Sequence, residues 1–157
     1  MNISAVIGQL LGLLDRILDA LKPLVALGTR WWVSWQFLKS GALKLSDWDM
    51  TLALFRDEYH TPVLSPGLAA VVGTFGELFF PVLLIVGLFG RAASVGLFAV
   101  NAMAVISYAY VLLSPGFEAA IGQHYLWGFM LLVLAVYGPG RLSLDHWFGA
   151  RWFPRQT

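Results

Sequence analysis

The chain has 157 residues, of which 59% are hydrophobic and 12% charged, and its formal net charge is +1. Soluble domains carry about 25% charged residues, so this composition belongs to a chain that lives in lipid, and its near-neutral charge gives no electrostatic basis for binding nucleic acid. The absence of cysteine excludes disulfides, thiol redox chemistry, iron–sulfur clusters and thiolate metal sites within the chain. Any redox role must therefore work through a cofactor, a quinone or a partner protein.

In chain order, residues 1–22 come first. Ile3, Ile7, Leu10, Leu14, Ile17 and Leu21 recur at spacings of three and four, while Asp15, Arg16, Asp19 and Lys22 gather near the end. This pattern predicts an amphipathic helix that either lies in the membrane interface or packs on a partner, since the spacing also fits a heptad. Met1 to Asp15 contain no Lys or Arg, and no small-residue cleavage site follows, unlike a cleavable signal peptide. Lys22-Pro23 is expected to break or turn the chain.

Four apolar stretches follow, over residues 24–44, 68–90, 92–113 and 119–138. Each approaches the roughly 20 helical residues that cross a bilayer's hydrocarbon core. The first holds Trp31, Trp32, Trp35, Lys39 and Lys44, and Arg30 is expected to snorkel to the near interface. The second carries one charge, Glu77; the third carries none; the fourth has only His124. Between the first two lies the longest polar connection, residues 45–66, with Asp57-Glu58-Tyr59-His60. No His pair there or elsewhere has helical ligand spacing, and no metal site is expected. Arg91 sits in a turn so short that the second and third stretches must be antiparallel neighbours. Gly138-Pro139-Gly140 stops the last stretch, and residues 142–157, rich in Trp, Phe and Arg, read as a helix on the membrane surface. The expected fold is all-α: an integral membrane four-helix bundle over residues 24–141, with an amphipathic helix before it and an interfacial helix after it.

Orientation follows from the basic residues. Arg16, Lys22, Arg30, Arg91, Arg141, Arg151 and Arg155 fall on one side, Lys44 and Arg56 on the other, so the positive-inside rule places both termini in the cytoplasm of a cell whose inner membrane holds the chain. With that orientation, Glu77 lies about 13 Å and Lys39 about 7 Å from the outer ends of their helices at the usual rise. Asn101 and Tyr108 of the third stretch and His124 of the fourth join them in the outer half. An unpaired charge at such depth costs about 2.5–3.5 kcal/mol, so Glu77 is expected to face the interior with Lys39 or Lys44 as partner. The polar set Glu77, Lys39, Lys44, Asn101, Tyr108 and His124 is thus the candidate ligand or proton site.

Three stretches together are similar to the DoxX family of small membrane proteins. They are Arg30 with Phe37-Leu38-Lys39-Ser40-Gly41-Ala42-Leu43-Lys44; Gly76-Glu77-Leu78 with Gly87-Leu88-Phe89-Gly90-Arg91-Ala92; and Gly138-Pro139-Gly140-Arg141-Leu142-Ser143-Leu144-Asp145. The resemblance implies a four-helix bundle in the cytoplasmic membrane and maps the family's recurrent polar positions onto Arg30, Lys44, Glu77 and Arg91. It also implies, for some members, a link to quinone-dependent oxidation, and for others a role in assembly. The leading expectation is a membrane subunit or accessory of a redox system, without activity alone, whose outer pocket holds a quinone head group or faces a redox partner. The alternative is a non-catalytic scaffold or assembly factor for a membrane complex, and the expected partners are the lipid bilayer with a redox protein or further copies of the chain as a homo-oligomer. A small-solute transporter ranks last, since four stretches leave little room for a pathway.

Overall fold

The computed structural model describes residues 3–152, without the side chains of Ala5, Val6 and residues 150–152. Arg155 and the side chain of Arg151, two of the inner basic residues, lie outside that set. The elements are α1 (Ile3–Ser46), α2 (Trp48–Asp57), α3 (Pro66–Val86), α4 (Gly90–Ser107), a single turn α5 (Ala109–Leu112), α6 (Glu118–Tyr137) and α7 (Leu144–Trp152). The protein is all-α, with no strand among the described residues. Three helices, α3, α4 and α6, are long and apolar enough to cross a membrane.

These three and the second half of α1 close a ring: α1 packs on α3, α3 on α4, α4 on α6, and α6 returns to α1. Arg30, Val33, Ser34, Phe37 and Gly41 form the buried stripe of α1, at the three- and four-residue spacing of one helix face. Val33, Phe37, Leu84, Leu97, Leu131 and Leu134 make the main core. A smaller core, Phe55, Ala69 and Ala70, lies beneath Trp48, Leu52 and Tyr59 where α2 covers the start of α3; this end of the bundle is termed outer, and the end with the α3–α4 turn inner, after the orientation expected from the basic residues.

Three expectations about where helices begin and end are corrected. The chain does not break at Lys22-Pro23; α1 is a single helix of 44 residues with Pro23 inside it. Pro23 removes only the bond to the Asp19 carbonyl, and Asp19 and Lys22 on either side are exposed, so that carbonyl has access to solvent. Residues 45–66 are not simply a connection, because they contain α2. Asp47 starts it by accepting a hydrogen bond from the Met50 amide at 2.9 Å, an N-cap. The third apolar stretch does not run unbroken to residue 113. Its helix ends at Ser107, whose carbonyl accepts the His60 amide at 2.9 Å, while the Val111 amide turns to Tyr108 instead.

The inner end is built from backbone groups and two side chains. Gly87, at φ +70°, ends α3; its amide reaches the Leu84 carbonyl and the Leu88 amide reaches Leu83, closing the helix in a Schellman turn. Phe89, in the left-handed region at φ 50°, has no side chain able to cap α4. Asp145 supplies that cap from the far end of the chain, accepting the Phe89 amide at 2.7 Å and the Gly90 amide at 2.6 Å. A carboxylate there satisfies two orphan donors and meets the positive end of the helix dipole. Arg30 does not snorkel. It is fully buried, donating to the Leu84 carbonyl at 3.4 Å and to the Leu142 carbonyl. The tail therefore begins docked against the bundle, and only beyond it are Trp147 and Phe148 exposed.

Replacing Asp145 with Ala is expected to lower the unfolding free energy by about 1–2 kcal/mol, the usual worth of a lost cap. Asp145→Asn, which keeps one accepting oxygen, is expected to lose less. Thermal unfolding in detergent reads both.

Candidate functional site

Glu77 sits on the buried face of α3 and Lys44 in the last turn of α1. The Lys44 ammonium donates to both carboxylate oxygens of Glu77 at 2.7 Å and to the Ser40 hydroxyl at 2.8 Å, so all three of its protons are used. The two side chains are only 12% and 9% exposed. Close helix approach makes this reach possible. A methyl group on Gly41 would come within 2.8 Å of Leu78 on α3, and one on Gly76 within 2.6 Å of Val100 on α4. Thr51 of α2 donates to the Lys44 carbonyl at 2.9 Å, which fixes α2 directly after the helix that carries the lysine.

The pair lies on the wall of a cavity of about 340 Å³ enclosed by α2, α3, α4 and the segment after α2. Phe55, Tyr59 and Leu64, from α2 and the segment after it, roof it, and Phe80 of α3 and Val100 of α4 also line it. Val72 and Met103 line it and are also exposed on α3 and α4, so its mouth opens between two membrane-length helices. The cavity offers a long apolar wall and one ionic corner. Two of the four lone-pair sites on a carboxylate remain when two accept from an ammonium, so Glu77 can still accept from a molecule in the cavity.

Tyr59 stands at the outer rim. Burial, reinforced by the nearby Glu77 charge, pushes its phenol up to about 12. Its ring packs edge-on against Phe55 and Tyr108, with centroids 4.8 and 5.1 Å away.

The other expected site residues separate. Lys39 is exposed and is not the partner of Glu77. Asn101 and His124 form their own pair between α4 and α6: the Asn101 amide donates to the His124 carbonyl at 3.0 Å, and His124 Nδ1 lies 2.8 Å from Asn101 Oδ1. Neither lines the cavity. Tyr108 donates to the Glu58 carboxylate at 3.2 Å on the outer surface. Arg91 is exposed. What looked like one cluster by depth is one ion pair on a cavity, one helix–helix clasp and one surface bond. Phe55, Tyr59 and Leu64 were missed because residues 45–66 read as loop. Their signal was present in Trp48, Leu52, Phe55 and Tyr59, which recur at helical spacing after the capping Asp47.

The DoxX family model matches residues 25–110, more than half of the chain. The chain belongs to the DoxX family. The match includes α1 from the bundle onward, all of α2, α3 and α4, and every residue that lines the cavity. Three of the four polar positions that resemble the DoxX pattern, Arg30, Lys44 and Glu77, hold helix to helix. No curated protein and no solved structure matches the chain.

Two outcomes follow from the site. Glu77→Gln and Lys44→Met should each destabilise the protein by about 3 kcal/mol, because each strands a buried charge or its partner, whereas the double variant should recover part of that loss. Unfolding of all four forms in one detergent measures the coupling. Tyr59 should ionise well above an ordinary tyrosine in an ultraviolet titration, and Tyr59→Phe should remove that late step. Because the fold favours the neutral phenol, its contribution to stability is complete below pH 10 and is lost as pH rises through about 12.

Proposed function

We propose that the cavity takes a small, mainly apolar molecule with one polar head, of the quinone class, and that the protein serves as a membrane subunit or accessory of a redox system. The observation that carries this reading is the Lys44–Glu77 pair on the wall of a mainly apolar cavity of about 340 Å³. That volume lies in the range of small-molecule sites, which are largely apolar with a few placed polar groups. The mouth between α3 and α4 favours a ligand that arrives from the lipid rather than from water. A quinone supplies electron and proton transfer when bound. The chain's own part is to set the Lys44 ammonium beside an oxygen that gains negative charge and to hold Glu77 as a proton acceptor.

In this reading the second half of α1 is a fourth crossing, supported by its place in the ring with α3, α4 and α6. Both termini then face the cytoplasm across the inner membrane, in keeping with the basic residues Lys22, Arg91 and Arg141 at that end.

The test is binding of a short-chain quinone to protein purified in mild detergent, together with extraction of any quinone retained. Lys44→Met and Glu77→Gln should weaken binding at least about tenfold, equivalent to 1.4 kcal/mol. Asn101→Ala, outside the cavity, should leave affinity unchanged. Equal affinity in all forms, with no quinone retained, would refute the proposal.

A further inference from the structure

The first half of α1 has no function in the cavity and no cover. Ile3, Ile7, Leu10, Leu14, Ile17, Leu21 and Leu24 are all exposed, between 44% and 76%. Their spacing alternates four and three without a fault, the a and d positions of a heptad repeat. Taking Ile7, Leu14 and Leu21 as a, the flanking e and g positions hold Leu11, Leu13, Leu18 and Ala20 and no charge. Asp15, Arg16, Asp19 and Lys22 all fall on b, c and f, and so does Pro23. The one ion pair of this stretch, Asp19–Lys22 at 2.6 Å, lies on that outer face.

We propose that residues 3–24 form a parallel coiled coil with the same segment of another copy of this chain. Four observations select that occupant. First, α1 does not stop at Pro23. Proline can kink a helix, but an unbroken helix has no turn in which to change from crossing a bilayer to lying flat on it. A helix of 44 residues is about 66 Å long, twice the hydrocarbon thickness, so its first half projects beyond the bundle. Second, the polar face balances Asp15 and Asp19 against Arg16 and Lys22, whereas helices that lie on anionic lipid surfaces are basic there. Third, self-pairing in register brings no like charges together, because none occupies a, d, e or g. Fourth, Gly8 and Gly12 lower the helix propensity of a segment that no other element covers, so burying its apolar seam on a partner is its main source of added stability. Two copies inserted the same way in one membrane hold these segments parallel and at equal height, and the heptad continues at Gly28, Trp31 and Trp35, which are also exposed, on a different face from the buried stripe of the bundle. The inference does not depend on what the cavity binds.

The lack of cysteine makes the test clean. Single substitutions Leu10→Cys, Leu14→Cys and Ile17→Cys on the seam, and Gln9→Cys, Gly12→Cys and Asp19→Cys off it, are placed in the full chain and oxidised in native membranes. Disulfide-linked dimer should form at the three seam positions and be largely lost at the other three. The double variant Leu14→Asp/Ile17→Asp should convert the oligomer to monomer by light scattering in detergent, with the thermal unfolding of the bundle unchanged. Cross-linking equal at all six positions, or absent from the seam, would overturn the proposal. So would a lipid-soluble quencher reaching fluorophores placed on the seam, which would assign this face to the membrane surface.

Discussion

A lysine and a glutamate held among apolar helices must be brought together, and the Lys44–Glu77 pair organises the outer half of this protein. It ties the end of α1 to the middle of α3 through two bonds of 2.7 Å. The reach succeeds because Gly41 lets Leu78 approach, and because Ser40 takes the third ammonium proton. With Lys44 fixed, Thr51 anchors α2 to the lysine's carbonyl, and α2 in turn carries Phe55 over the outer end of α3. The cavity is the space left between that roof and the floor of small and medium side chains on α3 and α4. A single ionic contact therefore sets both the packing of two helices and the ionic corner of the cavity.

The two ends of the bundle solve the problem of unpaired backbone groups differently. At the inner end a Schellman turn, the Asp145 carboxylate and the Arg30 guanidinium link α1, α3, α4 and the chain's exit from α6. At the outer end the chain after α2 crosses to α4, and the His60 amide takes the Ser107 carbonyl out of its own helix. That exchange ends α4 early and leaves the roof suspended on aromatic contacts among Phe55, Tyr59 and Tyr108. Room for a ligand exists at the end where irregular chain and aromatic rings replace close-packed caps.

The two halves of α1 answer to different surroundings. From Arg30 onward its buried face is matched to α3 and α6, and its buried cations Arg30 and Lys44 bond to groups of other elements. Before that its apolar seam is complete but uncovered, and its charges stand outside the seam. Continuity across Pro23 joins a membrane-bundle helix to an exposed heptad, so an assembly held through the first half would fix how neighbouring cavities are spaced in the membrane.

By itself the sequence determined that this is an all-α membrane protein, because apolar runs of bilayer length and a low charge count have no other stable setting. It also determined the family, since Arg30, Lys44 and Glu77 stand in motifs whose order survives without any knowledge of contacts. Position along a helix was readable too, because rise per residue is constant. Rotation about the helix axis was not, and rotation decides which polar groups meet. Tertiary structure therefore chose Lys44 over Lys39, paired Asn101 with His124 away from the cavity, and buried Arg30 against the Leu84 and Leu142 carbonyls. It also turned part of a polar connection into the roof of a site, because the worth of Phe55 and Tyr59 depends on Ala69 and Ala70 lying beneath them. Helix register around the axis is fixed by packing partners far apart in the chain, and no local spacing carries that information.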